Sequence, residues 1–203
     1  MFVTGKEKLL VATTSPGKAR EFADLLGTAW TVLTLKDLPT ASAVEETGDS
    51  FLANATLKAL AYPTFDGWVV ADDSGLEVDE LHGAPGIHSA RFAGEPRDDA
   101  RNNAKLLALL EGVPPERRGS QFRCVLVLAR AGQVMATAEG IVRGRILDAP
   151  RGSGGFGYDP IFQPDGKGCS MAELSPEAKH ALSHRGKAVR ALLAAWPRNP
   201  PRS

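Results

Sequence analysis

The feature that most constrains this chain is the apolar run Trp68-Val69-Val70-Ala71, which leads directly into two adjacent carboxylates, Asp72 and Asp73, and then into Ser74-Gly75. Four such residues read as a buried strand. A buried strand that ends in paired acids sets like charges at a sheet edge, where they repel unless a cation joins them, so a divalent metal site is one reading. The other is a solvated turn, because Asp, Ser and Gly close strands without any chemistry. Taken alone, the pair favours the turn. Three further loops reverse that preference, because they carry the residues that an anionic, metal-escorted substrate requires.

The 203 residues suit one domain, residues 1–203 with a core over about 9–196, long enough for a sizeable interior and for two lobes. The 24 basic and 24 acidic residues cancel to a formal net charge of +0. A general nucleic-acid or membrane-surface binder would carry a basic excess, so neither partner is expected. Cys124 lies in an apolar run and Cys169 in a glycine-rich loop. Without CxxC spacing they suggest neither a zinc site nor a disulfide framework, and point to a reducing cytoplasm. The run Leu9-Leu10-Val11-Ala12 is too short for a signal peptide or a membrane span.

Periodicity and turn signals predict a strand at Leu9 to Thr13, a turn at Ser15-Pro16-Gly17 and a helix from Lys18 to Leu26. Such a junction is a ready anion site, since free backbone N–H groups and the positive end of the helix dipole face the loop. A second strand is expected at about Thr31 to Leu35, and then a helix capped by Asp49 or Ser50 and running to about Ala61, with Asn54 and Lys58 on one face. An irregular segment through Gly83-Ala84-Pro85-Gly86 precedes a helix over roughly Asp98 to Leu110. Phe122 to Ala129 and Val134 to Val142 read as a hairpin turning at Ala131-Gly132, which predicts antiparallel pairing in a partly parallel sheet. A glycine-rich loop from Arg151 to Tyr158, a short extended Ile161-Phe162, two terminal helices from about Ser175 and Ser183 up to Trp196, and a frayed tail from Pro197 to Ser203 complete the chain.

Gly152-Ser153-Gly154-Gly155-Phe156-Gly157 matches GxGxxG formally. That dinucleotide fingerprint needs its last glycine to open a helix, whereas Tyr158-Asp159-Pro160 follows here and Pro160 drives Asp159 toward extended backbone. The match is therefore rejected. What remains is a loop with two aromatics, Phe156 and Tyr158, suited either to stacking on a planar ring or to anchoring a turn in the core. Lys18, Lys58 and Lys179 are each unremarkable alone. His184 and Arg185 directly follow Ser183, a candidate N-cap, where they would meet anionic or carbonyl oxygens. The plainer alternatives are a satisfied structural histidine and an arginine paired with Glu173 or Glu177.

Seven segments then occur in a telling order: Thr13-Thr14-Ser15-Pro16-Gly17-Lys18, Glu45-Glu46-Thr47-Gly48, Asn54-Ala55 with Lys58-Ala59, Ala71-Asp72-Asp73-Ser74-Gly75, Gly83-Ala84-Pro85-Gly86, Gly154-Gly155-Phe156-Gly157-Tyr158-Asp159-Pro160 and Ser183-His184-Arg185-Gly186. From Leu9 to about Leu193 the chain closely resembles the inosine/xanthosine triphosphate pyrophosphatase family; Maf-type nucleotide pyrophosphatases share only the general phosphate-loop pattern. The resemblance implies an α/β fold, a long mixed β-sheet with flanking helices and two lobes around a substrate cleft, and a homodimer. It implies Mg²⁺-dependent hydrolysis of ITP, dITP or XTP between the α and β phosphates.

Residue by residue, the resemblance has Thr13, Thr14, Ser15, Pro16, Gly17 and Lys18 wrap the phosphates, with Lys58 and Ser74 beside them. It makes Glu46 and Asp73 metal ligands, Asp72 a candidate third, and Asp73 the proton acceptor for the attacking water. Phe156 would stack on the purine within the substrate loop of Gly157, Tyr158 and Asp159, while Lys179, His184 and Arg185 contact the base or neighbouring phosphates. One departure stands out. Ser15 replaces the usual asparagine and Thr14 the glycine before it, which alters detailed phosphate contacts but not the reaction class. A nucleotide-binding regulator without turnover is a further alternative, opposed by the retention of Lys18, Glu46 and Asp73.

Overall fold

The computed structural model describes residues 6–38 and 44–196; the expected frayed tail lies outside them. Six strands form one sheet. They are β1 (Lys8–Val11), β2 (Thr31–Thr34), β3 (Trp68–Val78), β4 (Gly119–Arg130), β5 (Gln133–Ile146) and β6 (Phe162–Pro164), in the order β2-β1-β3-β4-β5-β6. β1 pairs in parallel with both β2 and β3, with Leu9 opposite Trp68, and β5 pairs antiparallel with β6. The mixed sheet expected from sequence is therefore present. The helices are α1 (Pro16–Leu26), α2 (Phe51–Leu60), α3 (Asp99–Leu109), α4 (Pro176–Leu182) and α5 (His184–Ala194).

The main departure from expectation is β3. The paired acids do not end it; the strand runs on through Ser74 and Gly75 to Val78. Beyond the acids, Leu76 and Val78 are fully buried, and each such side chain contributes roughly 1.5–3 kcal/mol by leaving water. Sheet pairing and this burial override the turn preference of Asp-Ser-Gly. The solvated-turn reading is thereby excluded, since Asp72 and Asp73 are both buried.

Elsewhere the differences are local. β2 ends at Thr34 because Leu35–Asp37 forms a short 3-10 turn, and Ser50, not Asp49, caps α2. β4 and β5 are longer than their apolar cores, and they join through Ala131 and Gly132, both at positive φ (47° and 73°). Two positive φ values in succession mark the tight primed turn whose twist matches a hairpin.

The chain divides into two compact units. Among the described residues, unit 1 comprises 6–38, 44–73, 125–139 and 188–196, and unit 2 comprises 74–124 and 140–187. In unit 1, Leu10, Val69 and Val127 pack against Ala55 and Ala59 of α2. The core of unit 2 gathers Leu76, Leu106, Phe122, Ile146, Tyr158 and Phe162. Among the described residues, no helix is long and apolar enough to cross a membrane.

Candidate active site

In unit 1, β1 delivers the chain to Thr13, Thr14 and Ser15, and α1 begins at Pro16. Ser15 is the N-cap: its Oγ accepts the Lys18 N–H at 3.4 Å, and its own N–H donates to Thr13 Oγ1 at 3.1 Å. Proline at the first helical position loses no hydrogen bond, because that N–H has no partner within a helix. The helix start thus presents its dipole end beside Lys18, whose Nζ lies 2.9 Å from Asp72 Oδ2.

A second lysine completes the cluster. Lys58, from α2, places Nζ 2.9 Å from Glu46 Oε1 and 3.1 Å from Asp73 Oδ1. One turn earlier on the same helix, Asn54 donates from Nδ2 to Asp73 Oδ2 at 3.3 Å and accepts the Gly48 N–H at 2.8 Å. Asn54 therefore ties the segment that carries Glu46 to the strand that carries Asp73. Burial pushes the Asp73 carboxyl above its ordinary pKa, and the nearby Lys58 and Lys18 offset this only in part. For Lys58, burial pulls the other way from Asp72, Asp73 and Glu46, and the three carboxylates prevail, raising its pKa.

Three carboxylates meet two ammonium groups in this cluster. Among the described residues, no three His, Cys, Asp or Glu side chains group as a self-sufficient metal site. Mg²⁺ does not need one, since it is commonly held by one or two carboxylates with water and substrate phosphates. Glu46 and Asp73 already converge on one cation, the Lys58 ammonium, and their all-oxygen donor set fits a hard divalent ion.

In unit 2, the segment after Gly157 is a 3-10 turn, Asp159–Ile161, and not an α-helix, in keeping with rejection of the dinucleotide fingerprint. Asp159 organises the loop. Its Oδ2 accepts the Phe156 N–H at 2.8 Å and pairs with Lys179 Nζ at 2.6 Å. A Cβ at Gly155 would collide with that carboxylate, so this position requires glycine for room as well as for its positive φ of 73°.

The Phe156 ring is half-buried, with Lys179 Nζ 5.0 Å and Arg185 Cζ 5.9 Å from its centroid. Arg185, only 1% exposed, donates from Nη2 to Ser74 Oγ at 2.9 Å. Ser183 caps α5 by accepting the Gly186 N–H at 3.0 Å. His184 stacks on Phe122 with ring centroids 4.8 Å apart and planes 12° from parallel.

The two aromatics of the loop thus divide. Tyr158 is a core residue, its hydroxyl donating to Ser89 O at 2.8 Å and its pKa raised by burial, whereas Phe156 is only half-buried. Glu173, the sequence candidate for a partner of Arg185, instead engages Arg151 at 3.2 Å. Sequence reading passed over Asp99 and Asn103 of α3, which bond the backbone of Gly157. Their only signal was polarity at two positions one turn apart, which any solvated helix shows.

In unit 1 the structure brings together Lys18, Lys58, Glu46, Asp72 and Asp73 behind the Ser15 cap. In unit 2 it brings together Ser74, Phe156, Asp159, Lys179 and Arg185. The first set offers cations, a helix start and a basic carboxylate, which is phosphoanhydride chemistry; the second offers an aromatic face and fixed donors, which suits a planar, oxygen-bearing ring.

Known proteins are similar to this chain over nearly its whole length. The chain is 51% identical over 185 residues to the dITP/XTP pyrophosphatase of Desulforamulus reducens, covering 90% of this chain and 92% of that one. It is 50% identical over 192 residues to the enzyme of the same name from Geobacillus kaustophilus, covering 94% of each. The solved structure of the Staphylococcus aureus Ham1 protein matches with a TM-score of 0.82 at 39% identity, over 93% of this chain and 97% of that one. A nucleoside-triphosphatase (dITP/XTP pyrophosphatase) from Mycobacterium abscessus matches with a TM-score of 0.73 at 44% identity, over 94% and 99%. The Ham1 family model spans residues 9–195, nearly everything the structure describes, and the chain belongs to the Ham1 family.

Proposed function

We propose that this protein is a nucleoside triphosphate pyrophosphatase that hydrolyses dITP, ITP and XTP between the α and β phosphates, releasing the monophosphate and pyrophosphate. The observation that carries this reading is the buried cluster in which Lys18 and Lys58 meet Glu46, Asp72 and Asp73 at the capped start of α1. The names of the relatives support the substrate class.

In this reading the triphosphate lies on Thr13 to Lys18, with the N-terminal N–H groups of α1 and the ammonium groups of Lys18 and Lys58 countering its charge. Asp73, made more basic by burial, accepts the proton of the water that attacks the α phosphorus. The electron pair of the broken P–O bond leaves with pyrophosphate, whose growing charge the two lysines stabilise. Glu46 and Asp73, with Asp72 as candidate third ligand, would hold Mg²⁺, which when bound neutralises phosphoryl oxygens and acidifies water.

Phe156 stacks on the purine, and Arg185 donates to its 6-oxo group. Adenine, with an amino donor at that position, leaves the buried guanidinium unmatched and is rejected. His184 and Lys179 orient neighbouring groups. A homodimer belongs to the same reading, with Leu52 and Leu57 of α2, 48% and 41% exposed, as apolar side chains available for contact. So does a cytoplasmic location without nucleic-acid or membrane partners, in keeping with two free cysteines.

Initial rates on dITP, ITP, XTP, dATP, dGTP, dCTP and TTP with Mg²⁺ test the reading. Preference for the first three is expected; a preference for pyrimidine triphosphates would assign the chain a Maf-like specificity instead.

A further inference from the structure

The sequence motifs leave α3 as scaffold, but two of its residues reach the loop that carries Phe156. Asp99 and Asn103 stand one turn apart on the same helical face. The Gly157 N–H donates to Asp99 Oδ2 at 2.7 Å, and Asn103 Nδ2 donates to the Gly157 carbonyl at 3.0 Å. Both backbone groups of one loop residue are therefore held by one helix face. Asn103 is 8% exposed, and its Oδ1 has no hydrogen-bond partner among the described protein groups. A buried amide satisfied on one side only costs stability, so its contribution here is position.

The preceding residue is held as firmly. The Phe156 N–H is committed to Asp159 Oδ2, and the Phe156 carbonyl accepts the Asp159 N–H at 3.3 Å. With the N–H groups of residues 156 and 157 both spoken for, neither is a donor for a base. At these two residues the loop backbone supplies placement. Gly157 sits at φ 63° with open space where a Cβ would be, so its conformation, not its size, is what the clamp preserves.

We propose that Asp99 and Asn103 are positioning residues for purine binding: by clamping Gly157 they fix the placement from which Phe156 presents its ring to the base. The inference rests on the assignment of Phe156 as the stacking residue. Loss of a clamp bond lets the ring wander, which weakens substrate binding without touching the groups that break the anhydride.

The test is steady-state kinetics on dITP for Asn103→Ala, Asp99→Ala, Asp99→Asn and Phe156→Ala, and for Asn103→Ala and Asp99→Ala in the Phe156→Ala background, with folding checked by circular dichroism. Asn103→Ala and Asp99→Ala should each raise KM about three- to tenfold, the worth of one hydrogen bond, with kcat within about twofold. Asp99→Asn, whose amide oxygen still accepts the Gly157 N–H, should restore KM to near wild type. Neither alanine change should raise KM further once Phe156 is gone. If Phe156→Ala raises KM while both alanine variants keep wild-type KM, the clamp is refuted and stacking stands. If Phe156→Ala leaves KM unchanged, the stacking assignment fails and takes the clamp with it. If Asn103→Ala or Asp99→Ala raises KM equally in both backgrounds, it does not act through Phe156 and the proposal falls. Should Asn103→Ala not fold, the two Asp99 variants decide the matter by the same criteria.

Discussion

Ser15 shows how a departure from a family pattern can leave the physics intact. Its hydroxyl caps α1, and serine and asparagine are about equally good N-caps, so the replacement keeps the helix start on which the proposed function lays the phosphates. Ser15→Asn should therefore retain both melting temperature and KM, whereas Ser15→Ala should cost about 0.5–2 kcal/mol of stability; unchanged thermal melts for the alanine variant would remove the cap from the account. Asp73 carries a sharper test. Its pKa is raised, so the folded state favours the protonated form, and the charged form is a net burden once the pH exceeds the folded pKa. Below the unfolded value of about 3.8 that burden vanishes. Asp73→Asn should accordingly be at least as stable as wild type at pH 7, with an advantage that shrinks toward pH 4, while losing turnover. A folded Asp73→Asn protein that keeps more than about a tenth of wild-type kcat, under ~1.4 kcal/mol of transition-state stabilisation, would contradict its role as proton acceptor. At the base, Arg185→Ala should lower kcat/KM for dITP much more than for dATP, whereas Phe156→Ala should lower both alike, because stacking is nearly indifferent to ring substituents. Equal losses in the arginine variant would make Arg185 a phosphate or structural contact.

At the scale of elements, α1, α2, α4 and the junction of β1 with α1 could be read within a residue or two, because N-caps are local signals: Ser15, Ser50 and Ser175 each bond a backbone N–H three residues on. The C-terminal half of β3 is not legible locally, because its continuation to Val78 depends on sheet neighbours that no local window contains. The acids and Ser74 look like turn residues until Lys58, Lys18 and Arg185 are in place around them. The clamp on Gly157 was invisible for the same reason: 54 residues separate Asn103 from its partner, and neither side chain type advertises the bond. The β4–β5 turn gives the prediction that belongs here. Ala131 holds a left-handed φ of 47° that asparagine adopts more readily. Ala131→Asn should stabilise the fold, read as a higher denaturation midpoint at unchanged slope; a lower midpoint would mean the methyl group is needed.

For the whole molecule, the charges cancel globally and not locally: the formal net charge is +0, yet the cluster of unit 1 sets three carboxylates against two ammonium groups. Composition argues against a general polyanion-binding surface, but the cluster forms only where four separated segments meet, with Lys18 from α1, Lys58 from α2, Asp73 from within β3 and Glu46 from the segment before α2. The family relationship carries the reaction class and the class of base, and the cluster is where the proposed function places the reaction. The most direct test of the central claim is the identity of the products. Incubated with dITP and Mg²⁺ and followed by phosphorus NMR, the protein should yield the monophosphate and pyrophosphate with no orthophosphate, a conversion that Asp73→Asn abolishes; release of orthophosphate and the diphosphate would place the cleavage at the β–γ bond and contradict the account.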